Sequence, residues 1–311
     1  MSINNVISSI KTLKFSSIIT ATLFLIVCLS WGTTWLGIKI AVDSTPPLTA
    51  AGIRFLISFP LFLIFCYVRK EPIFFPKKNT GFFIFITIGY FSLPYYLLNY
   101  GEQYVTSGLA ALLFSTMPIF TLIFSAIVLR ERIFLLQMIG ITIGFVSLFM
   151  ILKTQGLSLG FTELLGIFAV LLAAIMHAFS YVVTRKYGAN VSVVTFNTLP
   201  IGIAGIGLFL TGLVMENPNI SAISLSSWGA LVYLGLVASV GGFIVYFFLL
   251  KRLSPVMLSF VFIIFPVFAI IFDALYEGVE ISNKSIGYIL LLLIGFAITK
   301  LPIGERRSYR T

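Results

Sequence analysis

His177, Ser180, Tyr181 and Thr184 fall at i, i+3, i+4 and i+7 inside an otherwise apolar run, so a helix there carries one continuous polar stripe. Related spacings recur along the chain. Trp31, Thr34 and Trp35 share a face in an earlier run, as do Tyr95, Asn99 and Glu102 in a third, and Ala111, Ser115 and Pro118 in a fourth. Ser239 and Tyr246 stand two turns apart in an eighth. A polar side chain in hydrocarbon is costly unless it faces a cavity or a partner. Hydroxyls, an amide, an imidazole and aromatic faces are the chemistry of holding a small polar solute, and the candidate contacts are Trp31, Thr34, Trp35, Tyr95, Asn99, Ser115, His177, Tyr181 and Tyr246. Each also has a packing reading. His177 suits a proton or solute contact, or equally a hydrogen bond to a neighbouring helix. Asn99 and Ser115 suit a solute contact or interhelical bonds worth about 0.6 kcal/mol each.

The charged residues within or beside these runs are few. Arg54 lies about 10 Å into its run at ~1.5 Å per residue, where it either snorkels outward or pairs with an acid such as Asp43. Lys39 reads as an anion-attracting group at a cavity mouth or as an interfacial anchor, and Asp273 as a proton or cation site close to a membrane surface. Pro118 and Pro266 each remove a helical hydrogen bond and are expected to kink their helices as hinge points. No nucleotide-binding P-loop, zinc-protease or serine-hydrolase motif occurs, and no catalytic residue, metal or cofactor is expected. Cys28 and Cys66 have neither disulfide nor metal spacing.

The elements that must position these groups follow from composition. Of 311 residues, 59% are hydrophobic and 10% charged, too few charges for a water-compatible surface. Polar and Pro/Gly breaks divide the chain into ten apolar runs: 17–42, 48–68, 82–101, 105–129, 134–153, 162–184, 191–215, 227–249, 254–276 and 285–301. Each is near the ~20 residues that cross a bilayer. The first run is too long for a signal-peptide core and lacks a cleavage pattern, so it reads as an uncleaved span. Sixteen of the twenty basic residues fall on one side: Lys11, Lys14, Arg69, Lys70, Lys77, Lys78, Arg130, Arg132, Arg185, Lys186, Lys251, Arg252, Lys300, Arg306, Arg307 and Arg310. Cytoplasmic loops retain such residues, which places both termini in the cytoplasm and makes the net charge of +10 a topology signal rather than a nucleic-acid footprint.

An internal repeat accompanies the ten runs. Pro118-Ile119-Phe120 matches Pro266-Val267-Phe268 at an offset of 148, and Trp31–Trp35 followed by Lys39 aligns with His177–Tyr181 followed by Arg185 at an offset of 146. Five spans per half turn the second copy upside down in the membrane. The expected architecture is therefore an all-α polytopic membrane protein of two inverted five-helix repeats, 17–153 and 154–301, flanked by a cytoplasmic segment 1–16 and a basic tail 302–311. Inverted repeats are common in alternating-access carriers, with the solute site near the midplane between the halves.

The residues resemble the drug/metabolite transporter superfamily, in its EamA branch of ten-helix bacterial carriers. The likeness rests on Trp31-Gly32-Thr33-Thr34-Trp35-Leu36-Gly37-Ile38-Lys39, Arg54-Phe55, Ser107 to Leu113 through Pro118, Leu129-Arg130-Glu131-Arg132 and Ile139-Gly140. In the second half the chain departs from the family's Gly-Glu after the ninth span, with Glu277 and then Gly278-Val279-Glu280. The resemblance implies face-to-face halves whose polar stripes line a central cavity. It further implies a secondary carrier in the bacterial inner membrane, monomeric or homodimeric, that exports an amino acid or related zwitterion. Proton coupling through His177 or Asp273 is open, as are an uptake carrier, a polytopic enzyme and a scaffold.

Overall fold

The computed structural model describes residues 3–154, 160–250, 252–253, 261–278 and 280–299. The expected tail 302–311, Lys251, Lys300 and Val279 lie outside the described residues. The chain forms helices joined by short turns, and no strand occurs among the described residues. These are α1 (Ile3–Ser44), α2 (Pro47–Arg69), α3 (Thr80–Ile86, Thr87–Ser92 and Leu93–Gly101), α4 (Ser107–Phe114 and Met117–Val128) and α5 (Leu135–Thr154). The second half comprises α6 (Phe161–Tyr187), α7 (Val193–Met215), α8 (Leu225–Tyr233, Leu234–Gly241 and Gly242–Leu250), α9 (Val261–Glu277) and α10 (Asn283–Thr299). Seven of them, α1 from Ile18, α2, α3, α4, α6, α7 and α8, are long and apolar enough to cross a membrane, while α5 and α10 contain shorter apolar stretches. The chain is a multi-pass membrane protein.

Local sequence sets the helix starts. Thr106, Ser192 and Ser224 each accept a backbone N–H of the first turn of α4, α7 and α8, from Leu109, Thr195 and Ser227 respectively, which satisfies donors that a helix start leaves free. The Pro46-Pro47 start of α2 has no such side chain of its own. Glu216, just past α7, takes that role by accepting from the backbone N–H of Leu48 at 2.8 Å and of Thr49 at 2.9 Å. A carboxylate at that position also meets the positive end of the α2 dipole.

The most closely packed neighbours are α2 with α7 and α5 with α10, then α1 with α9, α3 with α6, α4 with α6, α1 with α8 and α4 with α9. Every one of these pairs joins a helix of the first five to a helix of the second. Exchanging the halves maps α1–α8 onto α6–α3 and α1–α9 onto α6–α4, and returns α2–α7, α4–α9 and α5–α10 to themselves. This is the pairing of two inverted five-helix repeats about a pseudo-twofold axis.

Lipid tails are as apolar as leucine, so close helix contact relies on shape rather than on escape from water. In the α2–α7 seam a Cβ on Gly52 would come within 2.5 Å of the Phe209 backbone nitrogen. In the α5–α10 seam one on Gly295 would reach 2.8 Å from the Gly140 carbonyl oxygen and 2.9 Å from the Gly144 nitrogen. Backbone cannot yield as a side-chain tip can. Gly52→Val is expected to lower the thermal unfolding midpoint of the purified protein through overpacking of about 1–3 kcal/mol. Gly207→Ala, where an added Cβ meets nothing within 4 Å, should leave the midpoint unchanged, and equal midpoints for the two variants would refute the close-contact account.

Candidate functional site

Three helices break their regular winding beside the space between the halves. In α3 the stretch Thr87–Ser92 is π-helical, and it lies just ahead of Pro94, whose missing N–H removes the donor for the Tyr90 carbonyl. In α8, the corresponding helix of the second half, Leu234–Gly241 is π-helical as well and contains Gly235 and Gly241. Such wide turns expose backbone carbonyls and are frequent at functional sites. Side chains of other helices meet them here: Ser180 of α6 donates to the Gly89 carbonyl at 3.1 Å, and Ser58 of α2 donates to the Gly235 carbonyl at 3.0 Å. The third break interrupts α4 at Ser115–Thr116, where the Ser115 and Thr116 hydroxyls turn back onto the carbonyls of Leu112 at 2.7 Å and Leu113 at 2.6 Å. Pro118, two residues on, cannot donate to Phe114.

Between the halves lies a cavity of about 390 Å³, within the usual size of a small-molecule site. Its wall draws on both halves: Trp31, Thr34 and Trp35 of α1, Arg54 of α2, Tyr90 and Tyr95 of α3, Phe114 of α4, His177, Tyr181 and Thr184 of α6, Asn197 of α7, Tyr246 of α8 and Phe265 of α9. Trp31 stacks on Tyr246 with ring centres 5.1 Å apart, and Trp35 lies nearly parallel to Phe265 at 6.1 Å. His177, 4% exposed, is ringed by Tyr90, Phe114 and Tyr95 at 4.8, 5.2 and 5.5 Å, while its Nδ1 pairs with the Ala173 carbonyl at 2.9 Å. The cavity extends to Gly188 and Val191 in the turn between α6 and α7. Near that end Tyr181 is 51% exposed.

The opposite end is closed by polar contacts, most of which join the two halves. Ser44 of α1 donates to Ser227 of α8 at 2.8 Å. Ser107 at the start of α4 donates to Asp273 of α9 at 2.6 Å, and Glu216 holds the start of α2. Lys39 donates to the carbonyls of Glu102 at 3.0 Å and Val105 at 3.3 Å, which fastens α1 to the turn after α3. In that turn Glu102 is 0% exposed and neither carboxyl oxygen has a hydrogen-bond partner. Burial pushes its carboxyl well above the usual carboxylate range, Lys39 and Arg54 oppose the shift and Asp273 adds to it.

From the residues expected to meet a solute the wall gathers Trp31, Thr34, Trp35, Tyr95, His177, Tyr181 and Tyr246, and it adds Arg54, which was expected to snorkel or to pair with an acid. It does not include Asn99 or Ser115, whose side chains bond back to the Tyr95 and Leu112 carbonyls of their own helices. Helical spacing alone cannot show which member of a stripe the next helix covers. Arg54 does not pair with Asp43: Asp43 is exposed, whereas Arg54 is 4% exposed, donates from Nε to Ser239 at 3.1 Å and lies 5.1 Å from the Tyr95 ring centre. Lys39 and Asp273 belong to the closed end rather than the cavity wall. The expected kink at Pro118 is a full interruption of α4, but α9 runs through Pro266 unbroken. Glu131 forms an ion pair with Arg185 at 2.8 Å beyond the cavity mouth. Residue patterns did not single out Asn197, Glu216 or the two π-helical stretches. A helix starting on Pro46-Pro47 without its own cap was the one available sign of Glu216.

The EamA-like transporter family matches residues 18–153 and again 164–301. An uncharacterized transporter of Buchnera aphidicola subsp. Schizaphis graminum is 40% identical over 92% of this chain and 96% of its own length. Protein PagO of Salmonella typhimurium is 39% identical, over 91% of this chain and 95% of its own. The uncharacterized inner membrane transporter YedA of Escherichia coli is 29% identical over 88% of each. A protein of solved crystal structure shares the fold with a TM-score of 0.66 at 16% identity, over 91% of this chain and 97% of its own.

The raised proton affinity of buried Glu102 predicts a pH-dependent stability. Because its folded-state affinity for a proton is raised, folding loses stability as pH climbs from the ordinary carboxylate range through the raised value. The thermal midpoint of the purified protein is expected to fall over that rise. Glu102→Gln, which keeps the shape of the neutral acid, should flatten the dependence; an unaltered slope in the variant would show that another group causes it.

Proposed function

Because the chain belongs to the EamA-like transporter family, we propose that it is a secondary carrier exporting small metabolites, amino acids or related zwitterions, across a bacterial inner membrane by alternating access. The observation that carries this reading is the cavity shared by the two halves, open toward the α6–α7 turn and closed at its other end by contacts that mostly join those halves. Arg185 and Lys186 stand at the open end, and basic loops stay in the cytoplasm. The cavity therefore faces inward, both termini are cytoplasmic, and a solute loaded from the cytoplasm leaves when the outer contacts part and the halves rock about the midplane. His177 on the wall and Asp273 at the outer end are the groups through which protons would be coupled to this movement.

The closed end must open in every cycle, so fastening it should stop transport. Ser44 and Ser227 face each other across the halves with hydroxyls 2.8 Å apart, close enough for a disulfide between replacing cysteines. In proteoliposomes a Ser44→Cys/Ser227→Cys protein is expected to exchange labelled amino acids when reduced, lose nearly all exchange when oxidised, and recover with reductant. Undiminished exchange in the oxidised, cross-linked protein would overturn alternating access through this end. Failure of the folded wild type to exchange any solute from a broad metabolite pool would favour a polytopic enzyme or a scaffold instead. For the proton groups, a pH profile of exchange left unchanged in both His177→Gln and Asp273→Asn would remove them from any coupling role.

A further inference from the structure

Arg54 is the one Lys or Arg among the described residues of the cavity wall, and no Asp or Glu stands beside it there. Its side chain is 4% exposed, and its sole hydrogen bond among the described residues runs from Nε to the Ser239 hydroxyl. A guanidinium has five N–H donors, so four are left without an acceptor, and Nη1 is fully buried in that condition. Glu102 makes no ion pair with it. A cation held in a membrane interior without a counter-ion is expensive, and a functional partner is the usual reason for its presence.

A second orphan lies on the same wall. Asn197 of α7 is 2% exposed and donates through Nδ2 to the Val193 carbonyl at 2.8 Å. That bond fixes which side carries the nitrogen, and the oxygen Oδ1 is left buried with no donor. Arg54 and Asn197 both line the cavity, and each keeps a buried polar atom beside it, Nη1 and Oδ1, that no protein group among the described residues satisfies. Unsatisfied buried polar groups each cost about 1–3 kcal/mol, and more when charged. A ligand that satisfies them gains from their prior desolvation.

We propose that Arg54 seats the carboxylate of the transported solute and that Asn197 accepts a hydrogen bond from the solute's ammonium group, so that the substrate class is a small zwitterion with an apolar body. Arg54 presents two parallel N–H groups in the geometry that matches a carboxylate. The rings of Trp31 and Tyr246 take the apolar body. This assignment rests on the carrier reading above and names the two groups of the cavity that would choose its cargo.

The test is exchange in proteoliposomes with four probes: phenylalanine and 6-aminohexanoate, which carry both charges at short and long separation, 3-phenylpropanoate, which lacks the ammonium, and phenethylamine, which lacks the carboxylate. Wild-type protein is expected to exchange one or both zwitterions, the monoanion at least tenfold more weakly, and the amine not at all. Arg54→Gln should abolish zwitterion exchange, Arg54→Lys should retain a fraction of it, and Asn197→Ala should weaken zwitterions at least fivefold while sparing the monoanion. A zwitterion-induced rise in the thermal midpoint, lost in Arg54→Gln while that variant keeps the unliganded midpoint of the wild type, and kept in a Gly207→Ala control, separates loss of the seat from loss of fold. Equal exchange of phenethylamine and the zwitterions, or undiminished zwitterion exchange by folded Arg54→Gln, would overturn the assignment and leave the carrier reading standing. Absence of exchange with these probes and with a broad metabolite pool would instead remove the carrier reading itself.

Discussion

Hydrocarbon supplies no hydrogen bonds, so a carbonyl released by an irregular turn inside the bilayer has to be met by another part of the protein. This chain releases several, in the π-helical stretches of α3 and α8 and at the break in α4. Ser180 reaches Gly89 across the halves, as Ser58 reaches Gly235, while Ser115 and Thr116 repair the break in α4 from within. The irregular turns and the association of the two halves consequently depend on one another. Each cross-half hydroxyl bond is modest by itself, on the order of 0.6 kcal/mol, yet leaving its carbonyl unmet would cost several times more.

The same constraint explains how the molecule can be firmly assembled along its sides and divided at its ends. The glycine-lined seams of α2 with α7 and α5 with α10 bring backbone against backbone, which resists sliding. At the closed end the contacts are hydroxyls, carboxylates and one ammonium near helix ends, such as Ser44 with Ser227 and Lys39 with the Glu102 carbonyl. Water can replace these bonds where it can reach them.

Between the ends, aromatic side chains solve a different problem. A cavity in a membrane protein must be stable when empty as well as when filled, and stacked rings such as Trp31 on Tyr246 and Trp35 beside Phe265 keep their own contacts in either condition. His177 is held in the same way, by three rings and a carbonyl of its own helix. Arg54 is the exception. Its position over Tyr95 and beside Ser239 supports the guanidinium without neutralising it.

Ten helices, two related halves and the family were legible in the residues, because a bilayer demands about 20 apolar residues per crossing, and shifts of 148 and 146 residues bring Pro118 onto Pro266 and Trp31–Trp35 onto His177–Tyr181. Seven of the nine candidate contacts reached the cavity wall, since polar stripes in apolar helices have few places to face. What the residues could not decide was the covering of each stripe. Asn99 shares a helix face with Tyr95, yet the surrounding helices leave Tyr95 on the wall and bury Asn99 against its own backbone. Arg54 had several possible partners along the chain, and only the packing of α2 against α3 and α8 turned it to Ser239 and away from Asp43. Local pattern determines which side chains a helix must keep from lipid; the arrangement of neighbouring helices determines which of those then meet a cavity, because that depends on contacts between residues far apart in sequence.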